Sequence, residues 1–154
     1  FVEAALKTGI AGVFYAVQHA NYHLLSRAEF EKFGCDYDRQ VFTSLHGSWL
    51  NMLHIHGENI MFDLLKDYPV TVFNWHDRDT PPTLDEAQKL TQRALCGGLQ
   101  REKTMVLGTP EQVTIEAKDA IRITEGKKFI LGTGCVLPTI APRANIIAAR
   151  VSVN

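Results

Sequence analysis

Short apolar runs alternate with amphipathic stretches along this chain, and this alternation predicts an α/β fold with right-handed crossovers. Five of the runs are apolar at consecutive positions, as expected for parallel strands that helices cover. These predicted strands are Gly12–Val17, Leu50–Ile55, Val70–Asn74, Ala94–Leu99 and Phe129–Leu131.

Helix start signals lie between the predicted strands. Ser26 with Glu29, and Thr83 with Glu86, have the spacing of capping boxes, and Pro110 stands at a first helical position. The predicted helices are Ala28–Phe33, Tyr37–Leu45, Asn59–Lys66, Leu84–Gln92, Pro110–Thr124 and Arg143–Val151. Three glycines stand where helices are expected to stop, namely Gly34, Gly47 and Gly126.

The number of strands bears on the architecture. A (β/α)₈ barrel needs eight strands and about 250 residues, whereas this chain has 154 residues. We therefore predict the C-terminal part of a TIM barrel, with residues 1–154 as a single domain and the N-terminal half absent. A small doubly wound sheet, complete in itself, is the alternative. Because a half barrel leaves its interior face uncovered, we expect a homo-oligomer if the chain is made as this fragment.

Charge and composition exclude several classes of partner. Lys and Arg number 16 and Asp and Glu 17, so the net charge is −1 and gives no basis for binding nucleic acid or an anionic membrane surface. No apolar run approaches the roughly 20 residues of a membrane span. The 3 cysteines lack a C-x-x-C spacing, which favours a reducing, cytoplasmic setting.

Three metal-capable side chains stand at the ends of predicted strands. His54 and His56 are two residues apart, so they point to the same face of the second strand. Cys135 follows the fifth strand and converges with them if the strands curl into one barrel. Three nitrogen and sulfur ligands with one open position are typical of a catalytic zinc site. The alternative is that the histidines only hydrogen-bond to neighbours and that Cys135 is a small buried apolar residue.

Three segments carry a resemblance to a known family. They are Phe14–Ala20, Leu53–Gly57 and Leu131–Pro138, the last followed by Pro142 and Asn145. In these segments the chain resembles the C-terminal half of the uroporphyrinogen decarboxylase superfamily. The resemblance implies a TIM barrel with its site at the C-terminal ends of the strands. It also implies one of two activities, the decarboxylation of the heme pathway or zinc-dependent transfer of methyl groups from corrinoids to thiols.

Departures from the family pattern favour the methyltransferase branch. The decarboxylase carries Ser where this chain has Gln18 and His where it has Thr133. The methyltransferases carry His-x-Cys at the place of His54 and His56, and a distant Cys that Cys135 matches. His56 therefore replaces a thiolate by an imidazole, which keeps a zinc ligand and removes one negative charge.

Further polar residues are expected on the same rim, because βα loops gather there in a TIM barrel. Gln18 and His19 follow the first strand and are the predicted catalytic residues. Asn74 and Arg78, at the end of the third strand, are the predicted substrate-binding residues, with Arg78 able to hold a carboxylate. The alternatives are a rim histidine satisfied by backbone carbonyls and a surface salt bridge from Arg78 to a neighbouring aspartate.

These observations lead to three functional hypotheses. The first is an enzyme that holds zinc and transfers a methyl group to a thiol or related nucleophile, with a small-molecule substrate, a corrinoid or other methyl donor, and a corrinoid protein as partner. The second is uroporphyrinogen decarboxylase activity in tetrapyrrole biosynthesis. The third is a non-catalytic barrel that binds a tetrapyrrole or corrinoid.

Overall fold

The computed structural model describes residues 1–153 of the chain. Its five strands form one sheet in chain order, and every neighbouring pair is parallel. The strands are β1 (Phe14–Val17), β2 (Met52–Ile55), β3 (Val72–Trp75), β4 (Ala94–Leu99) and β5 (Phe129–Thr133). The predicted parallel α/β class is confirmed, because each predicted strand overlaps an observed one.

Helices connect successive strands, and one further helix precedes β1 and another follows β5. They are α1 (Val2–Leu6), α2 (Arg27–Phe30), α3 (Asp36–Thr43), α4 (Phe62–Leu65), α5 (Leu84–Leu90), α6 (Pro110–Thr124) and α7 (Arg143–Val151). The last two have the predicted bounds, whereas α1 was not predicted. No helix of residues 1–153 combines the length and apolar character needed to cross a membrane.

Capping explains where three of these helices begin. The Ser26 hydroxyl accepts a hydrogen bond from the Glu29 backbone N–H at 3.3 Å, and the Glu29 carboxylate accepts one from the Ser26 backbone N–H at 2.8 Å. Thr83 and Thr109 begin α5 and α6 with the same reciprocal arrangement. Each box satisfies amide donors that the first helical turn leaves unpaired, so the predicted helix starts are confirmed.

The helix stop predicted at Gly34 is wrong. A π-helical turn, Glu31–Cys35, joins α2 directly to α3, so the helical path continues through the glycine. A Cβ at Gly34 would lie 2.5 Å from the aromatic ring of Phe30. The glycine is therefore needed for the close packing of that ring rather than for ending a helix.

The core lies between the helices and one face of the sheet. Side chains of this face are almost fully buried, namely Leu53, Ile55, Phe73, Trp75 and Leu95. Because side chains alternate along a strand, the register places a different row on the opposite face. That row contains Ala16, His54, Asn74, Cys96 and Ile130. We call this second surface the His54 face.

The His54 face is partly open. Phe14 is 59% exposed and Ile130 is 41% exposed, although both are large apolar residues on the two outermost strands. Exposed apolar surface of this kind on a sheet is usually covered by another part of a protein or another chain. The homo-oligomer expected from the sequence stays a prediction.

A buried carboxyl group joins the C-terminal ends of β3 and β4. Asp77 is 5% exposed, and its two oxygens accept from the Gly98 backbone N–H at 3.1 and 3.0 Å. Burial raises the pKa of Asp77 from its ordinary 3.8 to about 6, against smaller opposing effects of the Gly98 hydrogen bond and the Arg78 charge.

This raised pKa predicts a pH-dependent stability. Between about pH 4 and pH 6 the folded protein keeps a proton on Asp77 that the unfolded chain releases, so the free energy of unfolding falls as the pH rises through this window. The loss attributable to Asp77 is at most about 3 kcal/mol. In Asp77→Asn, which keeps one acceptor for Gly98, urea denaturation should show a flatter pH profile. Parallel profiles of the two proteins would contradict this reading.

Candidate metal centre

The structure brings the three predicted metal ligands together. His54 lies in β2, His56 follows this strand directly, and Cys135 follows β5. The His54 Nε2 and His56 Nδ1 atoms are 3.5 Å apart, and the Cys135 Sγ atom lies 3.9 Å from His56 Nδ1. Residues from the second and fifth strands therefore meet at one point on the His54 face.

His76 is a fourth member of this group and was not predicted as a ligand, so a side chain stands where the sequence led us to expect an open fourth position. One donor atom from each of His54, His56, His76 and Cys135 lies within 4.8 Å of the others. The Nε2 atom of His76 is buried and has no hydrogen-bond partner among residues 1–153. The sequence signal was present, because His76 follows Asn74 at the same two-residue spacing that relates His56 to His54.

Asn74 fixes the orientation of His54. Its side-chain nitrogen donates to the backbone carbonyls of Cys96 at 2.9 Å and Thr133 at 3.1 Å. The amide oxygen must therefore face His54 Nδ1, which lies 2.7 Å away. Since that oxygen accepts, Nδ1 carries the proton and the Nε2 lone pair is free for a metal ion.

The Cys135 loop is held against the end of β3. The bond from Asn74 to the Thr133 carbonyl ties this loop to β3, and the Thr133 hydroxyl donates to the Cys135 carbonyl at 2.5 Å. A Cβ at Gly134 would lie 2.6 Å from the backbone oxygen of Trp75. Glycine at this position therefore permits the close approach that places Cys135 beside the histidines.

Burial keeps two of the imidazoles in their neutral form. The pKa of His54 is lowered below its ordinary 6.5, chiefly by burial, with the Asn74 hydrogen bond opposing the effect. The pKa of His76 is lowered chiefly by burial and then by the charges of His56 and Arg101. Neutral imidazole is the form that binds metal ions.

The donor set and its spacing fit zinc. Imidazole nitrogen and thiolate sulfur are both ligands that zinc binds in tetrahedral geometry, and four such donors are present here. Bond lengths of about 2.0–2.1 Å to nitrogen and 2.3 Å to sulfur place neighbouring ligand atoms of a tetrahedron about 3.3–3.7 Å apart. The two separations that involve His56, 3.5 and 3.9 Å, are close to these values, and all four donor atoms lie within 4.8 Å of one another.

The three cysteines differ in accessibility, which predicts their reactivity. Cys35 and Cys96 are buried, whereas Cys135 is partly exposed. Burial raises the pKa of the Cys96 thiol to about 11, so at pH 8 only about one molecule in a thousand carries a reactive thiolate at this position. In the folded, metal-free protein, iodoacetamide should modify Cys135 first, as mapped by mass spectrometry. Equal labelling rates at Cys96 and Cys135 would contradict the structure.

Arg78 is engaged in bonds within the protein, and its substrate-binding role stays a prediction. Its guanidinium donates to the Gly98 carbonyl at 3.0 Å, to the Asp119 carboxylate at 3.0 Å and to the Glu116 carbonyl at 3.1 Å. These bonds join the end of β3 to β4 and α6. Asn74, the second predicted substrate-binding residue, is 3% exposed and uses both amide protons within the protein. In this arrangement Asn74 orients His54, and its substrate-binding role stays a prediction.

The predicted catalytic residues lie outside the four-donor group. Gln18 and His19 are exposed and line a separate cavity of about 400 Å³, together with Phe30 and Phe33. Gln18 nevertheless follows Ala16 by two residues, and Ala16 is the partner of His54 in the sheet register. The catalytic role of Gln18 and His19 stays a prediction.

Comparison with known proteins identifies the family. Residues 1–153 match the family model described as uroporphyrinogen decarboxylase (URO-D). The chain belongs to this family. None of the curated proteins compared with it matches. The resemblance seen in the sequence is therefore confirmed at the level of the URO-D family.

A solved structure shows a similar fold. It is a methyltransferase from Methanosarcina mazei, with a TM-score of 0.83 and 19% sequence identity. The match covers 98% of this chain and 44% of the methyltransferase chain. The URO-D chain described here thus spans less than half the length of that protein, and its fold corresponds to part of the methyltransferase barrel.

Proposed function

We propose that this URO-D family chain holds a zinc ion and supports transfer of a methyl group to a small thiol. The observation that carries the proposal is the convergence of His54, His56, His76 and Cys135. The free Nε2 of His76 supports it further, because a buried nitrogen without a partner is costly unless something binds it. The fold similarity to a methyltransferase favours this activity over the decarboxylase.

The metal ion and the surrounding residues have separate roles in the proposed reaction. Zinc, when bound, would act as a Lewis acid that lowers the pKa of a substrate thiol and orients its sulfur. Because the four donors complete a tetrahedron, the thiol would enter as a fifth ligand. Asn74 holds His54 in the tautomer that presents Nε2. His56 and His76 line a cavity next to the donor group, so a substrate approaches the donors from this side. With one thiolate among four donors, the set leaves a net charge of +1 on a zinc centre, which favours an anionic sulfur as the acceptor.

Methyl transfer can be tested with a chemically defined donor. The purified protein is loaded with zinc and mixed with methylcobalamin and a thiol, and loss of the methylcobalamin absorbance is followed. The thiolate sulfur attacks the methyl carbon, a carbon–sulfur bond forms, and the electron pair of the broken cobalt–carbon bond remains on the corrinoid. We expect formation of the methyl thioether that depends on both zinc and His56.

Parallel assays with uroporphyrinogen, cobalamin and porphyrin test the two remaining hypotheses. Decarboxylation of uroporphyrinogen by the metal-free protein, without methyl transfer, supports the tetrapyrrole activity and contradicts the proposal. Binding of cobalamin or porphyrin without turnover, in a protein that retains no zinc, supports the non-catalytic barrel. Cys35→Ser is the matched control, because it removes a buried thiol outside the donor group and should leave turnover unchanged.

A further inference from the structure

A small charged cavity adjoins the donor group. It has a volume of about 330 Å³ and shares His56 and His76 with the proposed metal site. The loop that follows β4 supplies two cations to its wall, Arg101 and Lys103. A cavity of this size is at the lower end of ligand sites and suits a small metabolite.

Arg101 stands next to the proposed sulfur ligand. Its side chain is 29% exposed, and its guanidinium contacts the carbonyl of Val136, the residue after Cys135, at 3.4 Å. A second guanidinium nitrogen donates to the Glu102 carboxylate at 2.7 Å. Because a guanidinium has five N–H groups, donors remain for a carboxylate inside the cavity.

The cavity also carries negative charge. Its acidic residues are Glu58, Asp79 and Glu102. Glu102 is paired with Arg101, and the Asp79 carboxylate accepts from the Gln100 amide at 3.2 and 3.3 Å. Within the described residues 1–153 this leaves Glu58, Asp79 and Lys103 as charged groups of the wall without an ion pair, and of the two carboxylates only that of Asp79 accepts from Gln100.

From these charges we propose that the thiol substrate is a small amino acid that carries both an ammonium group and a carboxylate. Three carboxylates, two cations and the net charge of +1 on the zinc centre leave the site without net charge, which favours a thiol that carries both groups over a thiol that carries only one of them. Arg101 binds the substrate carboxylate, and Glu58 binds the ammonium group. This inference rests on the proposed methyl transfer site and specifies its substrate class.

Three thiols that differ by one charged group test this proposal. L-cysteine carries both groups, 3-mercaptopropionate lacks the ammonium group, and cysteamine lacks the carboxylate. The protein is loaded with Co²⁺ in place of zinc, and each thiol is titrated while sulfur-to-cobalt charge-transfer absorbance is followed. Ultrafiltration at each end point shows that cobalt stays on the protein.

We expect cysteine to bind about 10-fold more tightly than either analogue. Arg101→Met should weaken cysteine and 3-mercaptopropionate about 10-fold and leave cysteamine within twofold. Glu58→Gln should weaken cysteine and cysteamine and leave 3-mercaptopropionate unchanged. Arg93→Met is the control, because Arg93 precedes β4 at the opposite end of the sheet and should change none of the three affinities.

Several results overturn the proposal. Binding of 3-mercaptopropionate or cysteamine as tight as that of cysteine shows that the cavity does not recognise both charges. Equal effects of Arg101→Met on all three thiols show that Arg101 does not contact the carboxylate. Absence of any cobalt spectrum before thiol is added is a different failure, since it overturns the metal site itself.

Discussion

We expect zinc affinity to fall about 100- to 1,000-fold when His56 is replaced by Ala or Cys135 by Ser. A four-ligand zinc site contributes about 10–16 kcal/mol, so the loss of one ligand of four costs roughly a quarter of this free energy. His56 is central in the donor group, because its Nδ1 atom is near both His54 Nε2 and Cys135 Sγ. Competition with a chromophoric chelator at pH 7.5 measures the affinities of the variants and the unaltered protein.

Cys35→Ser provides the matched control for this experiment. Cys35 is 4% exposed and lies in the π-helical turn between α2 and α3, among core side chains. The substitution removes a thiol and should leave zinc affinity within about twofold. Equal zinc affinity of the His56, Cys135 and Cys35 variants would contradict the assignment of the ligands.

Replacement of Asn74 by Leu, which has a similar shape, should lower zinc affinity about 10- to 100-fold without removing a ligand. Residues that orient a metal-binding histidine usually contribute this much. The substitution leaves His54 Nδ1 and the carbonyls of Cys96 and Thr133 without their partner in a buried site. The tautomer of His54 is then no longer fixed, and ¹⁵N NMR of the imidazole measures this directly.

Asn51→Leu separates orientation of the ligand from loss of stability. Asn51 is also buried, at 5% exposure, but it precedes β2 at the end of the sheet opposite the donor group. Its side chain bonds to Ser48 and to the Val13 backbone. Both variants should lower the free energy of unfolding, whereas only Asn74→Leu should change zinc affinity and the His54 tautomer. An equal loss of zinc affinity in both variants would show that Asn74 acts only through stability.

Local signals in the sequence were sufficient for most of the fold. Capping residues correctly predicted where α5 and α6 begin, and apolar runs correctly predicted the presence of all five strands. The helix predicted over Asn59–Lys66 is shorter, because Asn59 has a positive φ of 48° and its carbonyl accepts from the Tyr22 backbone N–H. This contact joins residues 37 positions apart, so no local pattern reveals it.

The donor group was only partly predictable. Side chains two residues apart on a strand share a face, and this spacing predicted that His54 and His56 lie together. The same spacing relates Asn74 to His76, so His76 could have been predicted in the same way. The position of Arg78 was not predictable, because its guanidinium bonds depend on α6 lying beside β3 and β4. The close approach of Gly134 to the Trp75 carbonyl is likewise a property of the folded sheet.

X-ray absorption at the zinc edge tests the central claim most directly. The purified protein is supplied with one equivalent of zinc, desalted and measured. The structure predicts a first shell of three nitrogens at about 2.0–2.1 Å and one sulfur at about 2.3 Å. Cys135→Ser should remove the sulfur contribution and leave the nitrogen shell. A shell without sulfur in the unaltered protein, or loss of all zinc on desalting, would contradict the metal centre formed by His54, His56, His76 and Cys135.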